Sequence, residues 1–182
     1  MAITLVATSG ASNANSYCTV VEADAYNEAH ISGASWAAAN TTQKEQALIS
    51  ATRLLDSYLS WQGTVATPTQ ALQWPRESMM WMPGCSVCAT NSAYIDPTVI
   101  PVQLKNATSE YGRLLLGGDP TAPSSTEQAD LSSLRAADIE LKFNKPVDAA
   151  MSASKTVVPG SVKAYLDQWI WSTAGVVPLV RV

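Results

Sequence analysis

Cys85 and Cys88 form a C-x-x-C pair, the spacing in this 182-residue chain that most suggests a metal or a redox reaction. A tetrahedral zinc site needs four ligands, and only Cys18 and His30 remain to complete one, both far away in sequence. A redox pair would open a helix directly after a strand, whereas "PGCSVCATNS" reads as loop. The residues therefore point to two thiols in an insertion. Three cysteines build no disulfide framework, and an odd count fits a reducing compartment. His30 is the single histidine, with no G-x-S-x-G motif to serve. No Walker loop, dinucleotide fingerprint or H-E-x-x-H is present. Asp24 and Glu28 stand four apart on a predicted helix, where two carboxylates read as a solvated face. No set of residues meets the requirements for named catalytic roles. A non-enzymatic protein without metal or cofactor is expected.

The aromatic content is more informative. Six Trp and six Tyr stand against one Phe; Trp and Tyr join a large apolar body to a polar handle and are frequent interface anchors. Fifteen acidic and eleven basic residues leave a net charge of −4. That balance argues against a protein devoted to gripping phosphates, although it does not exclude a local basic patch. No apolar run approaches a membrane span of about 20 residues, and nothing at the N-terminus reads as a signal peptide.

The elements that would position these groups follow from periodicity. "ITLVATSG" suits a short strand or extended arm. Thr19 and Glu22 make a capping box that starts a helix running to about His30, stopped near Gly33. A second capping box at Thr42 and Glu45 opens the clearest helix. Its stripe is Ala47, Leu48, Ala51, Leu54, Leu55, Tyr58 and Leu59, and Gly63 sits where the chain should leave it. Leu72 and Trp74 alternate with Gln73, which suits a short strand. Pro101 begins a third helix with Leu104, Ala107, Tyr111, Leu114 and Leu115 on one face. Gly112 within it costs about 1 kcal/mol relative to Ala and marks either a close helix approach or nothing in particular. Ile139, Leu141 and Phe143 alternate with charged residues as in a half-buried strand. A last helix carries Val162, Tyr165, Leu166, Trp169 and Ile170, and the chain ends in a β-branched apolar tail.

The expected fold is mainly α: one domain over 1–182, a compact bundle of three to four helices with a small β component. Long loops, an insertion at about 76–98 and an extended C-terminal arm at 172–182 complete it. Loops of that length and an apolar tail would make sense if neighbouring chains cover them.

Several segments resemble a family of tailed-phage proteins. "NANSYCTVVEADAY" is similar to its opening signature, in which A-N-S-Y leads into E-A-D-A-Y. "KEQALISATRLLDSYLSWQG" resembles its second helix, "QALQWPR" its Q-x-L-x-W-P-R segment, and "IPVQLKNATSEYGRLLL" its next helix. "LRAADIELKF" and "VPGSVKAYLDQWI" fit more weakly. Two functions travel with this resemblance. One is a head–tail connector, or adaptor: a homo-oligomeric ring, commonly a dodecamer, beneath the portal protein. It would bind the next neck or tail protein below and let double-stranded DNA pass without specific binding. The other is a single-stranded-DNA-binding replication protein, named for similarity to a primosomal protein.

Composition favours the connector. Single-strand binders need a basic groove with stacking aromatics, yet "WPRESMMWMPG" holds one Arg and one Glu in an acidic chain, and a negative field suits a DNA channel. The resemblance then implies a structural virion protein at the neck, present in the host cytoplasm during assembly, with no membrane contact. Val176, Val177, Leu179, Val180, Arg181 and Val182 would dock on the portal as an added strand, or else fold back on their own last helix. Trp74 and Arg76 would serve subunit contacts, or else pack within their own core.

Overall fold

The structure, a computed structural model, describes residues 4–81, 94–118, 133–136, 139–142 and 157–171, with backbone alone for 133–136 and 139–142. Five helices and two small antiparallel strand pairs are present among them. The mainly α architecture expected from the sequence is the one observed. In chain order they are α1 (Val20–Glu28), α2 (Ala34–Ala38), α3 (Thr41–Tyr58), β1 (Thr64–Val65), β2 (Arg76–Glu77), α4 (Val102–Gly117), β3 (Ser133–Ala136), β4 (Ile139–Lys142) and α5 (Gly160–Leu166).

Helix α4 is the axis of the molecule. It packs against α1, α2, α3 and α5, so its middle is buried all round, from Ala107 through Arg113. Its polar residues are satisfied locally. Thr108 and Ser109 donate back to the carbonyls of Leu104 and Lys105 (2.8 and 2.9 Å), and Glu110 pairs with Arg113. Gly112 is a point of close approach, which its place in the sequence left open. A Cβ there would lie 3.1 Å from Leu48 Cδ2 on α3 and 3.5 Å from the Trp36 ring on α2.

Helix α1 begins where its capping box predicts. Thr19 Oγ1 accepts from Glu22 N (3.2 Å), and Glu22 Oε2 accepts from Thr19 N (2.8 Å). Of its residues only Ala23 and Asn27 are buried, so electrostatic contacts hold much of it. Lys105 of α4 reaches Glu22 at 2.5 Å, while Lys44 of α3 and the Trp36 indole N–H of α2 reach Asp24 at 2.8 and 2.7 Å. The expected pair of solvated carboxylates is thus divided: Glu28 is exposed, and Asp24 is spent on a clamp.

Three element boundaries depart from the sequence reading. The capping box of α3 is Asn40 with Gln43, not Thr42 with Glu45. Asn leads Thr as an N-cap, and Gln at the third helical position serves as well as Glu. Helix α3 ends at Tyr58, five residues before Gly63. That glycine instead turns the chain into β1 at φ +68°, where a Cβ would meet Glu77 O at 2.3 Å. The run from Leu72 to Trp74 forms no strand; a cis Trp74–Pro75 bond leads to β2, and Val65 pairs with Arg76. The strand expected around Ile139 is present as β4, paired with β3.

The larger core runs from Tyr17 through Ala51 and Leu55 of α3 to Leu104, Ala107 and Tyr111 of α4 and Val162 and Leu166 of α5. At one end it finishes in a cluster of three indoles. Trp61 and Trp74 meet edge-on at 5.8 Å, and Trp74 and Trp169 lie 5.4 Å apart. A smaller core holds Cys18, Ala23, Trp36, Ala47 and Leu48.

Two outcomes follow. Gly63→Ala should lower stability in urea unfolding by about 2–3 kcal/mol, since the new methyl meets backbone at a positive φ. Glu22→Gln keeps the capping acceptor and removes the charge facing Lys105. Burial raises the Glu22 pKa, but the hydrogen bonds from Lys105 and Thr19 outweigh it and hold the carboxyl below its ordinary range. The stability it contributes is therefore full at neutral pH and lost as pH falls through the lowered value. Glu22→Gln should cost about 0.5 kcal/mol at pH 7, and the two proteins should converge in acid.

Candidate functional site

Met79 and Met80 stand side by side in an extended stretch, so one side chain points in and the other out. Met79 is buried and Met80 exposed. Tyr94 bridges to Met80 across an antiparallel contact, and Ile95 N donates to Met79 O at 2.8 Å. The Trp169 indole N–H donates to Met80 O at 3.0 Å and ties this ladder to the indole cluster. The inward alternation feeds the core. Met80 and its bridge partner Tyr94 share the outward face; Trp81, next along the chain, is also 41% exposed, and with Tyr94, at 61%, it lines an open cleft of about 460 Å³.

Val99 and Val102 complete the apolar wall, and Asp96 supplies a charge. Asp96 Oδ1 accepts from the hydroxyl and the backbone N–H of Thr98, at 2.6 and 2.8 Å. Those two hydrogen bonds hold its carboxyl below the ordinary range. Ser9 Oγ in turn donates to Thr98 O at 2.7 Å, so the N-terminal lead-in braces this turn. Trp171 is a further exposed aromatic, its backbone N–H donating to Ser60 O at 2.8 Å beside the bridge from Trp61 to Ile170.

The residues of the N-terminal motif do structural work. Asn15 Oδ1 accepts from Val6 N and its amide donates to Thr4 O. Tyr17 donates its phenol proton to Asp56 on α3, and Asp56 Oδ2 accepts from Gln73 N. Burial raises the pKa of both Tyr17 and Asp56. Cys18 is buried against Ser109, and burial pushes its thiol up to about 11, which makes it an inert core group rather than a ligand or nucleophile. Cys85 and Cys88 lie outside the described residues. No cluster able to hold a metal ion is present among the described ones.

His30 belongs to a polar cluster at the junction of α1, α4 and α5. Arg113 grips Glu110 through Nε and Nη2 at 3.2 and 2.6 Å, Tyr26 donates to Glu110 Oε2 at 3.3 Å, and the Tyr26 and Tyr165 hydroxyls meet at 3.1 Å. His30 Nε2 stands 3.7 Å from the same carboxylate, and its Nδ1 accepts from Ser32 N. Glu110 and Arg113 were invisible as partners in the sequence because α4 reads there as an ordinary amphipathic helix. An i, i+3 spacing of opposite charges was the available signal.

Trp74 and Arg76, singled out as subunit contacts, are both buried inside this chain. Arg76 donates through Nε to Gln62 O (2.6 Å), through Nη2 to Gly63 O (2.8 Å) and through Nη1 to the backbone and side-chain oxygens of Gln73 (both 3.1 Å). Val176, Val177, Leu179, Val180, Arg181 and Val182 lie outside the described residues.

Fold and cleft together define a small helical protein that presents exposed aromatics beside one carboxylate. The family model described as "Putative DnaT-like ssDNA binding protein" matches residues 1–182, and the chain belongs to that family. No curated protein and no solved structure matches the chain. This family match overturns the head–tail connector reading, together with the virion neck, portal and ring that it carried. The acidic net charge that favoured the connector is a whole-chain sum, and it hides local runs of opposite sign. From Lys142 to Lys163 the chain holds four Lys against one acid, Asp148.

Arg76→Lys should cost about 2–4 kcal/mol in urea unfolding, because a point charge cannot replace a planar fork serving four oxygens.

Proposed function

We propose that this chain binds single-stranded DNA, stacking bases on Trp81 and Tyr94 in the cleft next to α4. The observation that carries this reading is membership, along residues 1–182, of a family described by single-stranded-DNA binding. The exposed aromatic cleft supports it. Bases splayed from a single strand stack on aromatic faces, and each such contact contributes about 1–3 kcal/mol without demanding a sequence. Trp171 is a further exposed aromatic side chain, one residue past the bridge from Trp61 to Ile170.

Phosphate contacts require cations not already spent. Lys44 and Lys105 are paired with Asp24 and Glu22, Arg113 with Glu110, and Arg76 is buried on carbonyls. Arg53 and Lys163 carry no carboxylate partner among the described residues. Lys163 also closes a stretch of the sequence, from Lys142, that holds four Lys against one acid. The role we assign is binding: among the described residues the titratable groups of the cleft are the Asp96 carboxylate and the Tyr94 phenol.

Fluorescence anisotropy with a labelled dT 12-mer tests this. Binding at 50 mM salt should weaken by about an order of magnitude at 200 mM, as expected when about three phosphates are neutralised. Trp81→Ala and Tyr94→Ala should each weaken it about tenfold while leaving the melting transition unchanged. No anisotropy change at micromolar protein in low salt would sink the proposal.

A further inference from the structure

Asp96 stands oddly in a cleft meant for a polyanion. A carboxylate there opposes phosphate, so its place makes chemical sense only against something that donates hydrogen bonds. Its orientation is set in advance. Oδ1 is engaged twice by Thr98, and Thr98 is itself braced by Ser9. Oδ2 has no hydrogen-bond partner among the described residues, and Asp96 lines the cleft together with Trp81 and Tyr94. Fixed in this way, a free acceptor needs little ordering when a ligand arrives.

Building on the single-strand reading above, we propose that Asp96 makes the cleft base-selective, its Oδ2 accepting hydrogen bonds from the edge of the stacked base and favouring guanine over thymine. Guanine presents its ring N1–H and exocyclic N2 amino group side by side, so both can point at one carboxylate oxygen. Adenine and cytosine offer one amino group beside a ring acceptor. Thymine offers a ring N–H flanked by two carbonyl oxygens, whose lone pairs face the carboxylate. Stacking on Trp81 and Tyr94 supplies affinity to any base, and Asp96 divides the bases by their donors. A site that hydrogen-bonds a ligand donor discriminates against a base lacking it.

The test compares three labelled 12-mers by anisotropy on the full chain: dT alone, alternating dT and dG, and alternating dT and deoxyinosine, which lacks only the N2 amino group. The wild-type protein should bind the dG-containing strand about tenfold tighter than dT, with the inosine strand between them. Asp96→Asn keeps the Oδ1 acceptor for Thr98 and replaces Oδ2 by a donor. It should bring all three strands within about twofold of one another while binding dT at least as well as the wild type. Equal wild-type affinity for dT and the dG-containing strand overturns the selectivity, as does a preference that survives Asp96→Asn. Failure of the wild type to bind any of the three overturns the single-strand reading itself, and the selectivity with it.

Discussion

The Arg76 guanidinium is the contact on which the aromatic end of this protein depends. It takes the carbonyls of Gln62 and Gly63, just past α3, and both oxygens of Gln73, and holds the two strands of the β1–β2 ribbon in place. Residues 59–79 contain little regular hydrogen bonding. Buried carbonyls in such a stretch must find donors elsewhere. A planar fork with five N–H groups serves four oxygens from a single position, which no other side chain can do. With that turn held, Trp61 and Trp74 can meet edge-on, Trp169 can join them and reach Met80, and Met80 can pair with Tyr94. The cleft is therefore several links removed from the arginine that organises it.

A second constraint is the burial of α4. A helix packed by four others has little solvent face, so its polar residues need partners inside. Thr108 and Ser109 use their own helix, Ser109 also touches Cys18, and Glu110 uses Arg113 and Tyr26. This is why α1, with only an alanine and an asparagine buried, is still firmly placed. It is tied to α4 through Glu22–Lys105 and Tyr26–Glu110, and to α2 and α3 through Asp24. The small residues of α1 permit close packing, and two of its acids, Glu22 and Asp24, are anchors.

The elements that local rules govern were legible in the residues. The capping box at Thr19, the helix after Pro101 and the strand at Ile139 all follow from spacing and propensity, whereas spacing left Gly112 open and the packing of Leu48 and Trp36 decided it. Where two local solutions competed, spacing chose the weaker one: Thr42 and Glu45 form a plausible box, yet Asn40 and Gln43 form the better one two residues earlier. Tyr58 was assigned to the buried stripe of α3 and is exposed, while Ile49 and Thr52 are buried instead. Periodicity finds a helix but does not say how wide a face its neighbours will cover. The aromatic cleft was hidden for a related reason. "WPRESMMWMPG" shows Trp and Met in plenty, but which of them face outward depends on a pleat and on a partner, Tyr94, across the insertion.

By itself the sequence determined a mainly helical chain, the capped start of α1 and the kinship written in "NSYCTVVEADAY" and "QALQWPR". Those are properties of short windows, where backbone geometry and side-chain hydrogen bonding act over a few residues. Only the tertiary structure decided that Tyr17, Trp74 and Arg76 face inward while Trp81 and Tyr94 face outward. It alone showed that Glu22 and Asp24 of α1 are paired, and that Asp96 keeps one oxygen without a partner among the described residues. Such outcomes depend on which groups meet across long separations. Net charge and composition are blind to that pairing, and net charge for this reason favoured the connector reading that the family match overturns.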